Sequence, residues 1–270
     1  VANVIAVDVQ IDRKAYPGAG TPALADFRLR VEAGQFVALV GPSGSGKSTL
    51  LNIVGGLDTD LSGRVLLGDD PLRTALDAGF AIGHMFQEPR LMPWLTVLDN
   101  LLLVRGNSGD EIQSAHRLLE RVGLGEFANA YPGQLSGGMS RRVSLARAFS
   151  VEPELLLMDE PFVSVDAPTA ARLRRHLTDL WAQRRPTVLF VTHDLREALA
   201  LADRVVFMSD RPGRVVLDQR VDLPSPRDPE DGTVTALRNE ILTAHPDLLS
   251  GLGSVPEPPP APHRPNEAPT

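Results

Sequence analysis

One stretch limits the fold of this chain more than any other: Gln35 to Val54, "QFVALVGPSGSGKSTLLNIV". Its first part is a continuous apolar run bounded by glycine, the pattern of a strand buried on both faces. The run feeds directly into a glycine- and serine-rich turn and then into helical sequence. That turn fills the pattern G-x-x-x-x-G-K-[ST] with Gly41, Gly46, Lys47 and Ser48. Glycines at these places let backbone amides approach and surround the β- and γ-phosphates of a nucleotide. Lys47 adds a charge-assisted contact, and the Ser48 hydroxyl is a ligand for Mg²⁺.

The rest of the chain supplies partners for such a strand. "ELLLMDEP" and "TVLFVTHD" are further apolar runs, separated by helical sequence from about Pro168 to Gln183. Apolar strands alternating with helices predict a mainly parallel sheet covered on both sides. Val4 to Ile11 and Ala23 to Val31 read as two earlier strands. Asp203 to Leu223 reads as a closing hairpin that turns at Pro212-Gly213, and Val234 to Leu249 as a last helix. Between Glu88 and about Pro153 the sequence becomes leucine-rich with helical period, which predicts an inserted helical subdomain. "VPEPPPAPHRPNEAPT" carries seven prolines in sixteen residues, the composition of a disordered tail. The expected organisation is one catalytic unit over residues 1–228 with the insertion at about 88–153, a helical extension over 229–255 and the tail over 256–270.

Composition narrows the function. The net charge is −7, with 34 acidic against 27 basic residues, so there is no broad basic field of the kind that sequence-independent nucleic-acid binding uses. No cysteine is present among the 270 residues, which removes disulfides and thiolate metal sites. No apolar run approaches the roughly 18 residues that span a bilayer, and the first residues show no basic stretch followed by an unbroken apolar one. A soluble chain is expected, and if it works at a membrane another subunit must cross it.

The strand-end acids of "LLLMDEP" complete a nucleotide site: Asp159 falls near the Mg²⁺ ion and Glu160 where it polarises an attacking water. His193 and Gln87 follow other strands and face the same edge. A second glycine-rich opening, "LSGGM" (Leu135 to Met139), starts a helix whose first N–H groups again suit an anion. With Gly41 to Thr49, these pieces are similar to the ATP-binding cassette ATPases of ABC transporters over roughly Val4 to Leu223.

That resemblance implies an α/β P-loop NTPase (RecA-like) fold, with a mainly parallel sheet core, an antiparallel β subdomain and an inserted helical subdomain. It implies ATP and Mg²⁺ as ligands, with Gly41, Pro42, Ser43, Gly44, Ser45, Gly46, Lys47, Ser48 and Thr49 around the phosphates and Tyr16 stacked on adenine. Glu160 becomes the general base, His193 the γ-phosphate sensor, and Gln87 the link from Mg²⁺ and water to the membrane partner. Ser48, Gln87 and Asp159 surround the metal. Two cassettes pair head to tail in that family, so Ser136, Gly137 and Gly138 serve the partner's ATP and Asp166 crosses the dimer, although the family's usual run there is "SALD" rather than "SVDA". Transmembrane permease subunits, a periplasmic or extracellular solute-binding protein and a peripheral place on the cytoplasmic face of the plasma membrane follow, with no nucleic acid.

Within the family, "FQEPRLMPWLTVLDNLLL", "SDRPGRV" and Met139 resemble the ATPase subunits of nitrate, sulfonate and taurine importers. "NIVGGLD" is similar to cassettes of lipoprotein-release and macrolide-efflux systems. A soluble, non-transport cassette ATPase is the alternative of another class. It usually carries a coiled-coil insertion or two cassettes, and this chain shows neither heptads nor a repeat. A plain phosphoryl-transferring kinase would share the phosphate loop and would have no need of "LSGGM".

Overall fold

The computed structural model describes residues 4–248. Strands β1 (Val7–Lys14) and β2 (Leu24–Val31) form an antiparallel pair, and β3 (Phe36–Val40) runs into helix α1 (Lys47–Val54). Strand β4 (Ser62–Leu67), the two-residue β5 (Asp70–Pro71), helix α2 (Leu72–Asp77) and strand β6 (Ile82–Met85) follow. Helices α3 (Val97–Leu102), α4 (Gly109–Arg121) and α5 (Gly137–Ser150) make up the insertion. The chain then alternates β7 (Leu155–Asp159), α6 (Ala167–Arg184), β8 (Thr187–Thr192), α7 (Leu195–Leu201) and β9 (Arg204–Met208). It ends in β10 (Val215–Arg220) and α8 (Gly232–Ala244).

Two sheets result, ordered β2-β1-β4-β5 and β10-β9-β3-β8-β7-β6. Within the second, β3 pairs in parallel with both β8 and β9, while β10 alone is antiparallel. The apolar run of β3 shows why this strand is central. Phe36, Ala38 and Val40 enter the core shared with the insertion and with α6, α7 and α8, whereas Val37 and Leu39 enter the core shared with α1 and the antiparallel sheet. Successive side chains point to opposite faces, so a strand apolar at every position must be covered twice. β7 and β8 divide in the same way, with Leu156, Met158, Val188 and Phe190 on one face and Leu155, Leu157, Leu189 and Val191 on the other.

The expected architecture is present, with shifts at its edges. The first strand runs Val7–Lys14 rather than from Val4, carried past Ile11 by its pairing with both β2 and β4. The last helix ends at Ala244, five residues short of expectation, at a turn on His245. The Pro-rich tail lies outside the described residues. Strands β4 and β5 have no counterpart among the expected strands, and β6 is the strand expected before Gln87 without bounds.

Candidate nucleotide site

Because β3, β8, β7 and β6 are parallel, their C-terminal ends lie along one edge of the sheet, where α/β folds place ligands. The four segments that leave that edge begin at Gly41, His193, Glu160 and Phe86. The sequence-predicted residues Lys47, Glu160, His193 and Gln87 therefore share it.

The phosphate loop is shaped by three glycines with different tasks. Gly44 and Gly46 adopt φ of 84° and 92°, which L-residues rarely take. A side chain at Gly41 would meet the Met208 carbonyl at 2.9 Å. Ser45 is fully buried, and its N–H donates to the Pro42 carbonyl at 3.2 Å. The Lys47 ammonium, 6% exposed, donates to the carbonyls of Gly41 (2.8 Å) and Pro42 (2.7 Å) and to the Ser45 hydroxyl (3.2 Å). Burial lowers its pKa, and the nearby charges of Glu160 and Asp159 oppose that shift.

Asp159 ends β7 half-buried. Burial raises its pKa, against a hydrogen bond from the Ser48 hydroxyl and the charge of Lys47. Glu160 follows with φ of 44°, a left-handed conformation uncommon for its type. It is fixed there by its N–H, which donates to the Val191 carbonyl at 2.9 Å. The turn aims its carboxylate across to the end of β8, where Glu160 Oε2 lies 3.3 Å from His193 Nδ1. One hydroxyl and one half-buried carboxylate held together suit Mg²⁺, which takes few protein ligands and completes its shell with water and substrate phosphates. Among the described residues, no group of three or more His, Cys, Asp or Glu could hold a metal ion.

Tyr16 is 39% exposed, and its hydroxyl lies 3.2 Å from Thr49 Oγ1 and 3.3 Å from Asp58 Oδ2. Beneath the ring, Lys14 Nζ sits 4.8 Å from the centroid and is held by Asp58 Oδ1 at 2.7 Å and the Asp60 carbonyl at 2.6 Å.

The second glycine-rich opening stands apart. Ser136 caps α5 by accepting from the Met139 N–H at 3.2 Å, and among the described residues no hydrogen bond joins Ser136, Gly137 or Gly138 to the phosphate loop. Its two glycines serve different ends. A side chain at Gly138 would meet Thr169 Cγ2 on α6 at 2.5 Å, whereas one at Gly137 would meet nothing within 4 Å. Asp166 caps α6, accepting from the Thr169 N–H at 3.0 Å.

Several residues around the site escaped the sequence reading. Arg141 on α5 donates to the carbonyls of Gln87 (3.1 Å), Pro161 (3.1 Å) and Val163 (2.6 Å). Arg147, two turns along, donates to Pro89 and Arg90 carbonyls, both at 2.8 Å. Asn100, fully buried, accepts from the Met92 N–H and donates to the carbonyls of Met92, Leu95 and Thr96. The turn after β9 packs on the phosphate loop: Arg211 Nε donates to the Gly44 carbonyl at 3.3 Å, and a side chain at Gly213 would collide with the Ser45 carbonyl. "RPG" signalled a hairpin in the sequence, but its position against the phosphate loop depends on the sheet order.

Known proteins share this sequence pattern and fold. The family described as ABC transporter matches residues 24–163. The aliphatic sulfonates import ATP-binding protein SsuB 2 of Burkholderia lata is 46% identical over 90% of this chain and 87% of its own length. Its namesake in Pseudomonas syringae pv. tomato is 44% identical over 88% of this chain and 97% of its own. Among solved structures, a dimeric post-hydrolysis state of the ATP-binding cassette MJ0796, bound to ADP and Pi, superposes with a TM-score of 0.71 and 33% identity, covering 81% of this chain and all of that one. A nucleotide-free cassette from an ABC transporter, 24% identical, covers 91% of this chain with a TM-score of 0.72 and shows the same fold. With the family match spanning half the chain and close relatives spanning nearly all of it, this chain belongs to the ABC transporter family as an ATP-binding, ATP-hydrolysing cassette.

Proposed function

We propose that this chain energises uptake of an aliphatic sulfonate or a similar small organosulfur anion, as one of two identical cassettes beneath a transmembrane permease. The observation that carries the reading is the 44–46% identity, over about nine-tenths of the chain, to proteins named for aliphatic sulfonate import. Residues 1–228 form the cassette, with residues 88–153 as its inserted subdomain and 229–255 as an extension. No described helix is long and apolar enough to cross a membrane, which fits a peripheral subunit at the cytoplasmic face. A docking face for the permease lies around Trp94, Leu103 and Val104, which expose 71%, 57% and 48% of their surfaces beside the segment pinned by Asn100, Arg141 and Arg147. A solute-binding protein outside the membrane selects the cargo.

In the proposed cycle, residues Gly41 to Thr49 wrap the phosphates of ATP and Tyr16 stacks on its adenine. Ser48, Asp159 and Gln87 would hold Mg²⁺, which would supply neutralisation of the phosphate charge. Glu160 takes the proton of the attacking water, and His193 holds both the Glu160 carboxylate and the γ-phosphate in line. Ser136 to Gly138 close over the partner's ATP and Asp166 crosses the interface, so this second set of nucleotide contacts exists only in the closed dimer. Hydrolysis removes them and the pair reopens, which drives the permease between its conformations.

Deleting the gene in its own host tests the cargo. The strain should fail to grow with ethanesulfonate or taurine as sole sulfur source and grow normally on sulfate. Normal growth on sulfonates together with failure on nitrate would transfer the assignment to nitrate import.

A further inference from the structure

Away from the sheet edge, helices α4 and α6 and the turn after α5 enclose a cleft of about 250 Å³. Four arginines line it, Arg105, Arg117, Arg121 and Arg184, against a single carboxylate, Glu152. This is a local excess of three positive charges on a chain whose net charge is −7. Glu152 is already engaged twice, 2.5 Å from both Arg105 and Arg184, and its left-handed φ of 53° places it between them. Arg121 donates to the Gln183 side chain, which carries no charge. Arg117 makes no hydrogen bond or ion pair with any described residue. It also stands four residues before Arg121 on the same face of α4, and like charges at that spacing repel. A helix gains nothing from such a pair unless an anion lies between them.

We propose that this cleft is an anion site, taking a doubly charged oxyanion of the sulfate or phosphate class on Arg117 and Arg121 with Arg184 beside them, while Arg105 is held at the wall by Glu152 and by the Ser150 carbonyl at 2.6 Å. Guanidinium groups bind such anions with paired N–H donors. The site is separate from the phosphate loop and independent of the cargo. Its walls come from the insertion on one side and from α6 of the core on the other, so a bound anion braces the two against each other.

The test uses the full chain saturated with Mg²⁺ and a non-hydrolysable ATP analogue, so that the phosphate loop is filled. Sodium sulfate is titrated against sodium chloride at constant ionic strength while thermal unfolding is followed. The melting temperature should rise by about 3 °C and level off at low millimolar sulfate. Arg117→Gln, which disturbs no contact in the fold, and the double variant with Arg121→Gln should lose that saturable rise and keep basal ATPase activity within about two-fold. No rise in the unaltered protein would overturn the proposal. So would a rise that persists in the variants, because general sulfate stabilisation acts on any folded protein.

Discussion

Among the described residues the fold buries two lysine side chains, and both lie under the nucleotide site. Lys47 and Lys14 are 6% and 2% exposed, and each is surrounded by acceptors. Lys47 is bracketed by its motif. Lys14 has no motif, yet it supports the Tyr16 ring from below and ties it, through Asp58, to the loop that follows α1. Truncating one member of a buried ion pair strands the other, at about 3 kcal/mol. Lys14→Met should therefore lower stability by that amount and raise the ATP KM several-fold with little change in kcat, as steady-state ATPase assays would reveal; an unchanged KM would detach Tyr16 from adenine binding. His84 makes a different prediction. It stacks on Phe86 with ring centroids 3.8 Å apart, and burial together with Arg90 lowers its pKa from 6.5 to about 4. The unfolded chain thus binds a proton near pH 6.5 that the folded chain refuses until about pH 4, so stability rises with pH across that window and is lost as pH falls through it. Between pH 7 and pH 5 the loss is about 2 kcal/mol. Urea unfolding of His84→Phe at both pH values should show that dependence flattened by the same amount.

At the scale of elements, the sheet edge that carries the phosphate loop is held by segments outside the loop itself. The β9–β10 turn leaves no room for a side chain at Gly213 beside the Ser45 carbonyl. Gly213→Ala should displace the phosphate loop and raise the ATP KM about ten-fold, equivalent to about 1.4 kcal/mol, while the far-ultraviolet spectrum stays native. Arg141 joins α5 to the segments leaving both β6 and β7 through three carbonyls. These two examples also mark how far the sequence was legible. Gly41 to Ser48, Asp159, Glu160 and His193 could be assigned to one edge from the sequence because each follows an apolar strand, and parallel pairing brings such ends together. Arg141 could not, because a guanidinium that donates to backbone carbonyls leaves no mark on the residues it holds. β6 was expected only as the strand before Gln87, without bounds: "IGHM" is four residues with a glycine, too short for an alternating pattern, and its strand form comes from pairing with β7. The β-arm was half visible, since β4 depends on β1, a distant partner in sequence, and β5 is only two residues that pair with β4.

For the whole molecule, the proposed function gives the two glycine-rich openings of one chain different nucleotides to serve. The phosphate loop sits at the edge of the six-stranded sheet, whereas Ser136 and Gly137 are exposed at the start of α5 beside α6, open to an approaching surface. Under the proposed function a monomer carries half of each composite site, and ATP favours closure of two copies. Glu160→Gln separates closure from chemistry. It keeps the size and hydrogen-bonding reach of the side chain but cannot accept the water's proton, so turnover should fall by about 100-fold or more and Mg²⁺-ATP should trap a dimer visible by size-exclusion chromatography with light scattering. Normal hydrolysis by that variant would remove Glu160 as the base. Ser136→Arg placed in the same background puts a bulky cation where the partner's phosphates must come, at a cost of about 1 kcal/mol for the lost helix cap. Equilibrium binding of a fluorescent ATP analogue to the monomer should be unchanged and the dimer peak should vanish. If monomer binding were lost instead, Ser136 would belong to the chain's own nucleotide site, and the two glycine-rich segments would have to meet within one subunit.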